Sequence, residues 1–188
     1  MEPFNPVERL VVALDVPTSA EALHLARTLQ GRVGLFKVGL ELFCAEGLPF
    51  VKEVQRFAPV FLDLKLHDIP TTVQRTLAVL LDLDPRIVDV HAQGGPAMLE
   101  AAAEAVAAHR RGGGRTELLA VTVLTSLDRE DLARMGSPRD PSEMVLDLAA
   151  LAGTCGCDGV VCSAREAATL RPACGPHFRL LTPGIRPR

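Results

Sequence analysis

The 188-residue chain has no tryptophan and no tyrosine, and aromatic residues make up only 4% of it. Stacking platforms of the kind that hold single-stranded nucleic acid are therefore scarce. An excess of one charge is also missing: 20 Lys and Arg against 23 Asp and Glu give a formal net charge of −3. Such a balance offers no basic footprint for nucleic acid or for an anionic membrane. Apolar runs such as VERLVVALDV are strand-length, well short of the roughly 20 residues of a membrane span. The N-terminus, MEPFNPVERL, lacks the charged start and apolar stretch of a signal peptide. The five cysteines, Cys44, Cys155, Cys157, Cys162 and Cys174, are odd in number and do not form a disulfide framework. Cys155-Gly-Cys157 has no second pair beside it to complete a metal site. The thiols read as reduced and structural, so a cytoplasmic protein is expected.

What is present is an ordinary globular balance, 48% apolar and 23% charged, in a length that suits one domain spanning residues 1–188. Short β-like runs alternate with longer helical stretches. The strands are expected at Leu10–Val16, Leu35–Leu40, Val60–Leu66, Ile87–Ala92, Leu118–Leu124, Gly159–Ser163 and Arg179–Thr182. The helices are expected at Ser19–Gln30, Leu42–Arg56, Thr71–Leu81, Ala97–Arg110, Ser142–Ala152 and Arg165–Leu170, with Thr18 or Ser19 capping the first. Repeated β–α units with apolar strands point to a parallel sheet covered by helices. A doubly wound sheet and a (β/α)₈ barrel both fit, but no G-x-G-x-x-G follows the first strand, which weakens the dinucleotide-binding form. The stretch Thr125–Pro141 is the one long irregular segment and a candidate active-site loop. RRGGGR at 110–115 precedes a strand instead of opening a helix, so it reads as a helix stop and turn, not a phosphate cradle.

The charges fall where function collects in a barrel, at the C-terminal ends of strands. Asp15 ends the first strand, Lys37 lies on the second, Asp63 and Lys65 on the third, His91 ends the fourth, and Thr125 and Ser126 follow the fifth. Asp63 and Lys65 are two apart, so they share one face of a strand whose other face is Leu62, Leu64 and Leu66. Buried charges are unfavourable unless paired or used. An alternating array of Lys37, Asp63, Lys65 and Asp68 would neutralise itself and hold an ammonium donor in a partly dry pocket. The plainer alternative is a structural ion-pair cluster. Asp68 can also cap the helix that starts at Pro70. His67 and His91 have no H-x-x-x-H or His–Cys company to make a metal site and read as structural or supporting residues.

DLKLHDIPTTV resembles the D-x-K-x-x-D-I-P signature of the orotidine 5′-phosphate decarboxylase family. The resemblance runs along the chain through VVALDV, FKVGLELF, VHAQGG, VTVLTS and TPGIRP. It implies a (β/α)₈ TIM barrel that dimerises at its active-site ends and removes CO₂ from orotidine 5′-phosphate, giving UMP, without metal or organic cofactor. By motif, Lys65 is the expected proton donor to C6, Asp63 faces the substrate carboxylate, and Lys37 holds the network and touches the ribose. Asp68 and Thr72 are expected to enter the partner subunit's site. Asp15 would bind a ribose hydroxyl, Thr125 line the base pocket with Ser126 nearby, and Arg186 start the loop over the phosphate.

The family normally continues past TPGIRP through the phosphate loop, the eighth strand and a Gly-Arg pair, so the barrel is expected to lack its eighth strand and helix, the chain being incomplete at its C-terminus. The superfamily shares D-x-K-x-x-D alone with Mg²⁺-dependent sugar-phosphate synthases and decarboxylases, which form the first alternative. A non-catalytic nucleotide-binding barrel is the second.

Overall fold

The computed structural model describes residues 5–186. Seven parallel strands follow one another across a single sheet in chain order. They are β1 (Val11–Ala13), β2 (Leu35–Gly39), β3 (Val60–Leu66), β4 (Ile87–His91), β5 (Glu117–Val121), β6 (Gly159–Val161) and β7 (Arg179–Leu181). The helices are α1 (Ser19–Leu29), α2 (Leu40–Val54), α3 (Pro70–Leu81), α4 (Pro96–Arg111), α5 (Arg129–Arg134), α6 (Pro141–Thr154) and α7 (Ala167–Cys174). Strand order without reversal, with a helix after each of the first six strands, is barrel winding; a doubly wound sheet would reverse direction midway.

The sheet curls, and the side chains show it. Phe61, Ile87 and Leu119 form a small apolar cluster with Val11, Leu35, Val161 and Leu181 packed against it. Each of the seven strands contributes one member, so these residues mark one inner face of the curled sheet. The neighbouring strand positions, among them Phe36, Val38, Leu62, Val88, Leu118 and Val160, belong to the larger core between sheet and helices. Period-two alternation thus gives β3 an apolar outer face of Leu62 and Leu64 and an inner face that starts at Phe61 and continues to Asp63 and Lys65. Burying Phe61 contributes about 1.5–3 kcal/mol, and the cluster lies beneath the charged layer.

Several boundaries differ from expectation. β1 has three residues, not seven, because among the described residues it is an edge strand that pairs only with β2; its pattern is prolonged at one end by Leu14 N–H to the Lys37 carbonyl at 3.0 Å and at the other by Leu35 N–H to the Leu10 carbonyl at 3.1 Å. β7 is the other edge and is equally short. The stretch Thr125–Pro141 is not wholly irregular. It holds α5, started by a capping box in which Asp128 accepts from the Asp131 N–H and Asp131 accepts in return. The last helix begins at Ala167 and extends to Cys174, with Pro172 inside it. Thr18 caps α1 as expected, its Oγ1 accepting from Glu21 N–H at 3.2 Å.

RRGGGR behaves as a turn. Gly112 ends α4, Gly113 takes φ 97°, and Arg110 reaches back to the Thr116 carbonyl and to Asp158. At Gly159 the β7 backbone approaches so closely that a Cβ would overlap the Arg179 carbonyl. The five cysteines are free, and burial raises the Cys157 thiol to about 12 and Cys162 to about 11, as befits core side chains. Among the described residues no helix is long and apolar enough to cross a membrane.

Candidate active site

Two residues beyond the apolar cluster, on the same inner face, the strands turn from hydrocarbon to charge. Lys37 follows Leu35 on β2, Asp63 follows Phe61 on β3, and Asp89 follows Ile87 on β4. Lys37 Nζ bonds Asp15 Oδ1 at 2.9 Å and Asp63 Oδ2 at 3.1 Å. Lys65 Nζ pairs with the other carboxylate oxygen of Asp63, Oδ1. Asp63 therefore lies between two ammonium groups, one on each oxygen.

The chain Asp15–Lys37–Asp63–Lys65 is dry in the middle and wet at its ends. The side chains of Asp63 and Lys37 are 12% and 17% exposed, whereas Lys65 is at 37% and Asp15 at 63%. A ligand entering from the strand ends can reach the Lys65 ammonium while its partner carboxylate stays fixed below. Burial alone would lift the Asp63 carboxyl, but the bond from Lys65 and the charges of Lys37 and Lys65 outweigh it and hold Asp63 below the usual range. Burial likewise opposes the charge on Lys37; its bonds and charge attraction to Asp15 and Asp63 prevail and raise it.

The expected site residues divide into two groups. Asp15, Lys37, Asp63 and Lys65 are brought together. Asp68 stands apart, exposed, its Oδ1 accepting from Ile69 N–H at 2.7 Å, and among the described residues it makes no ion pair with either lysine. The helix cap is Ile69, without a side-chain bond, and not Asp68; Pro70 occupies the first turn. Within one chain the fourth member of the alternating array is Asp15. Thr72 is exposed on the first turn of α3. Thr125 lines a separate cavity of about 630 Å³ beyond β5–β7, with Leu124, Ser142, Ser163, Glu166 and Gly184. Ser126 and Arg186 are exposed. His67 and His91 sit ring to ring, 5.5 Å between centroids. Burial, then the charges of His67 and Lys65, lower His91, which favours its neutral form. Among the described residues no group of three His, Cys, Asp or Glu side chains is arranged to hold a metal ion.

Asp89 is the residue the sequence reading missed. It is 1% exposed, beside Asp63, and its Oδ1 accepts from the N–H groups of Leu64 and Lys65 at 2.9 and 2.8 Å. A signal existed: one acid inside the apolar strand IVDVH, on the same face as Ile87 and His91.

Comparison with known proteins gives this geometry its context. Residues 8–188 match the model of the orotidine 5′-phosphate decarboxylase / HUMPS family. Orotidine 5′-phosphate decarboxylase of Alcanivorax borkumensis is 47% identical over 180 residues, which is 95% of this chain and 77% of that protein. The protein of the same name from Geobacter sulfurreducens is 45% identical, over 96% of this chain and 76% of its own length. The crystal structure of orotidine 5′-phosphate decarboxylase from Lactobacillus acidophilus superposes with a TM-score of 0.84 at 38% identity, covering 94% of this chain and 81% of that one. With such identity spread along nearly all of its length, the chain belongs to the orotidine 5′-phosphate decarboxylase / HUMPS family.

Proposed function

We propose that this protein decarboxylates orotidine 5′-phosphate to UMP and CO₂. Family membership supplies the reaction class. The observation that carries the reading within the site is the ammonium of Lys65, anchored on the buried Asp63 at one of the two solvent-open ends of the ion-pair chain.

The chemistry asks for such an arrangement. When the bond from C6 to the carboxyl carbon breaks, its electron pair stays on C6 and CO₂ leaves. Nothing in the ring conjugates that pair away. A fixed ammonium stabilises the charge as it develops, and the Lys65 proton then moves to C6, leaving an amine that solvent reprotonates. Asp63 aims the ammonium and stands against the substrate carboxylate. Lys37, held by Asp15 and Asp63, fixes Asp63 from the other side and meets the ribose with Asp15. No cofactor enters the reading.

The finer parts are proposals of the same kind. The seven strands fit a single (β/α)₈ barrel whose eighth strand would pair with the free edges of β1 and β7. Asp68 and Thr72, exposed beyond β3, are suited to enter a partner subunit's site in a homodimer. Thr125 would contribute to the base pocket and Arg186 to phosphate closure. A cytoplasmic setting suits five free thiols.

The test is the fall in ultraviolet absorbance when the protein meets orotidine 5′-phosphate in EDTA, with Lys65→Ala as the blank. Turnover in the parent and none in a folded Lys65→Ala is the expected result. Retained turnover in the variant refutes the role of Lys65, and activity that disappears with chelation turns the reading toward metal-dependent sugar-phosphate chemistry.

A further inference from the structure

The ladder between β3 and β4 is irregular at the site. Phe61 and Leu62 pair with Ile87 and Val88, and the next pair is Leu66 with Val90. Four steps along β3 match two along β4, so the segment around Asp63–Lys65 bulges from the sheet. Lys65 takes φ 50°, in the left-handed region that residues with a Cβ avoid. A bulge of this kind leaves backbone N–H groups without a facing carbonyl, and buried ones need another acceptor.

Asp89 is that acceptor. Its Oδ1 takes both orphaned N–H groups, of Leu64 and of Lys65. Its Oδ2 is fully buried, and no donor from the described residues reaches it. Asp63 and Asp89 each stand two residues beyond the register pair Phe61 and Ile87, on the same inner face of neighbouring strands, and the Asp63 charge acts on Asp89. Two carboxylate oxygens repel unless one carries a proton.

The charges facing Asp89 decide where that proton sits. On β3 they are Asp63 and Lys65, on β2 Lys37, and His91 follows on β4; the register partner on β5 is the uncharged Leu119. Asp15, Lys37, Asp63 and Lys65 already sum to zero, so an ionised Asp89 would be an unbalanced charge at 1% exposure. Asp63 already has a lysine on each oxygen; Asp89 has none.

We propose that Asp89 is a positioning residue, a neutral carboxylic acid that clamps the bulge through Oδ1 and donates from Oδ2 to Asp63. One group then sets both halves of the catalytic pair: the backbone from which Lys65 projects and the carboxylate that aims its ammonium. The direction of its ionisation agrees, since burial and then the Asp63 charge push the Asp89 carboxyl well above the ordinary range. The role in turnover rests on the decarboxylase reading; the proton on Asp89 does not.

The test uses Asp89→Ala and Asp89→Asn. Asparagine keeps the Oδ1 acceptor and replaces the O–H donor by an N–H donor. Asp89→Ala should lower kcat by about 10²-fold with little change in KM, as a small misplacement of reacting groups does. Asp89→Asn should recover most of that loss. The infrared difference spectrum of parent minus Asp89→Asn at neutral pH should show the C=O band of a protonated carboxyl. A folded Asp89→Asn as inactive as Asp89→Ala, a folded Asp89→Ala with parental kcat, or no such band would each overturn the proposal. If Asp89→Ala does not fold, Asp89→Asn and the band decide. If the parent itself does not turn over, the decarboxylase reading falls, and the band alone upholds or overturns the neutral acid.

Discussion

Lys65, the proposed proton donor, stands on a strained backbone conformation, and that strain can be measured without substrate. At φ 50° a residue with a Cβ bears about 1–2 kcal/mol relative to an ordinary conformation. Glycine bears none of that, but its freer unfolded chain costs about 0.5–1 kcal/mol relative to alanine. Lys65→Ala and Lys65→Gly delete the same ammonium and the same pairing with Asp63, so their difference isolates the backbone. Lys65→Gly should be the more stable by about 0.5–1 kcal/mol, the reverse of the order in an ordinary strand. With a urea slope of about 2 kcal/mol per molar, its unfolding midpoint should lie about 0.3–0.5 M higher at unchanged slope. Equal midpoints, or the alanine variant ahead, would refute the claim that the bulge holds Lys65 under strain. In that case the clamp by Asp89 would lose its physical rationale as well.

Three further outcomes are expected. A group whose folded pKa is raised stabilises the protein below its unfolded value and loses that contribution as pH rises toward the folded one. For Asp89 the parent should therefore lose up to about 1.4 kcal/mol per pH unit above the ordinary aspartate range, a slope that Asp89→Asn abolishes; a pH-independent stability difference between the two would contradict it. Asp63 runs the other way: its lowered pKa gives stability above the ordinary range that is lost as pH falls through the folded value. Gly159→Ala should destabilise by about 1–3 kcal/mol through overpacking against the Arg179 backbone, and a parental denaturation midpoint would show that β6 and β7 approach less closely.

The sequence by itself carried the features that repeat locally. Alternation of apolar runs and helical stretches located seven strands and their order of winding, because burial of a sheet by helices must leave that pattern in the chain. Period-two spacing put Asp63 and Lys65 on one face, and the neighbouring strand supplied Lys37. The motif DLKLHDIPTTV carried the resemblance that the family match then bore out. Even α5 was legible, since Asp128 and Asp131 spell a capping box; the loop reading passed over it. What the tertiary structure decided is register. Whether β3 advances evenly along β4, whether Lys65 turns to positive φ, and whether Asp15 meets Lys37 depend on which groups face each other across strands. Asp89 illustrates the point: on its own strand it is one acid among valines, and it gains its meaning from two N–H groups 25 and 24 residues earlier that a bulge has left without a carbonyl. Hydrogen-bond satisfaction in a buried layer is a property of neighbours in space, and the order of residues along one strand does not contain it.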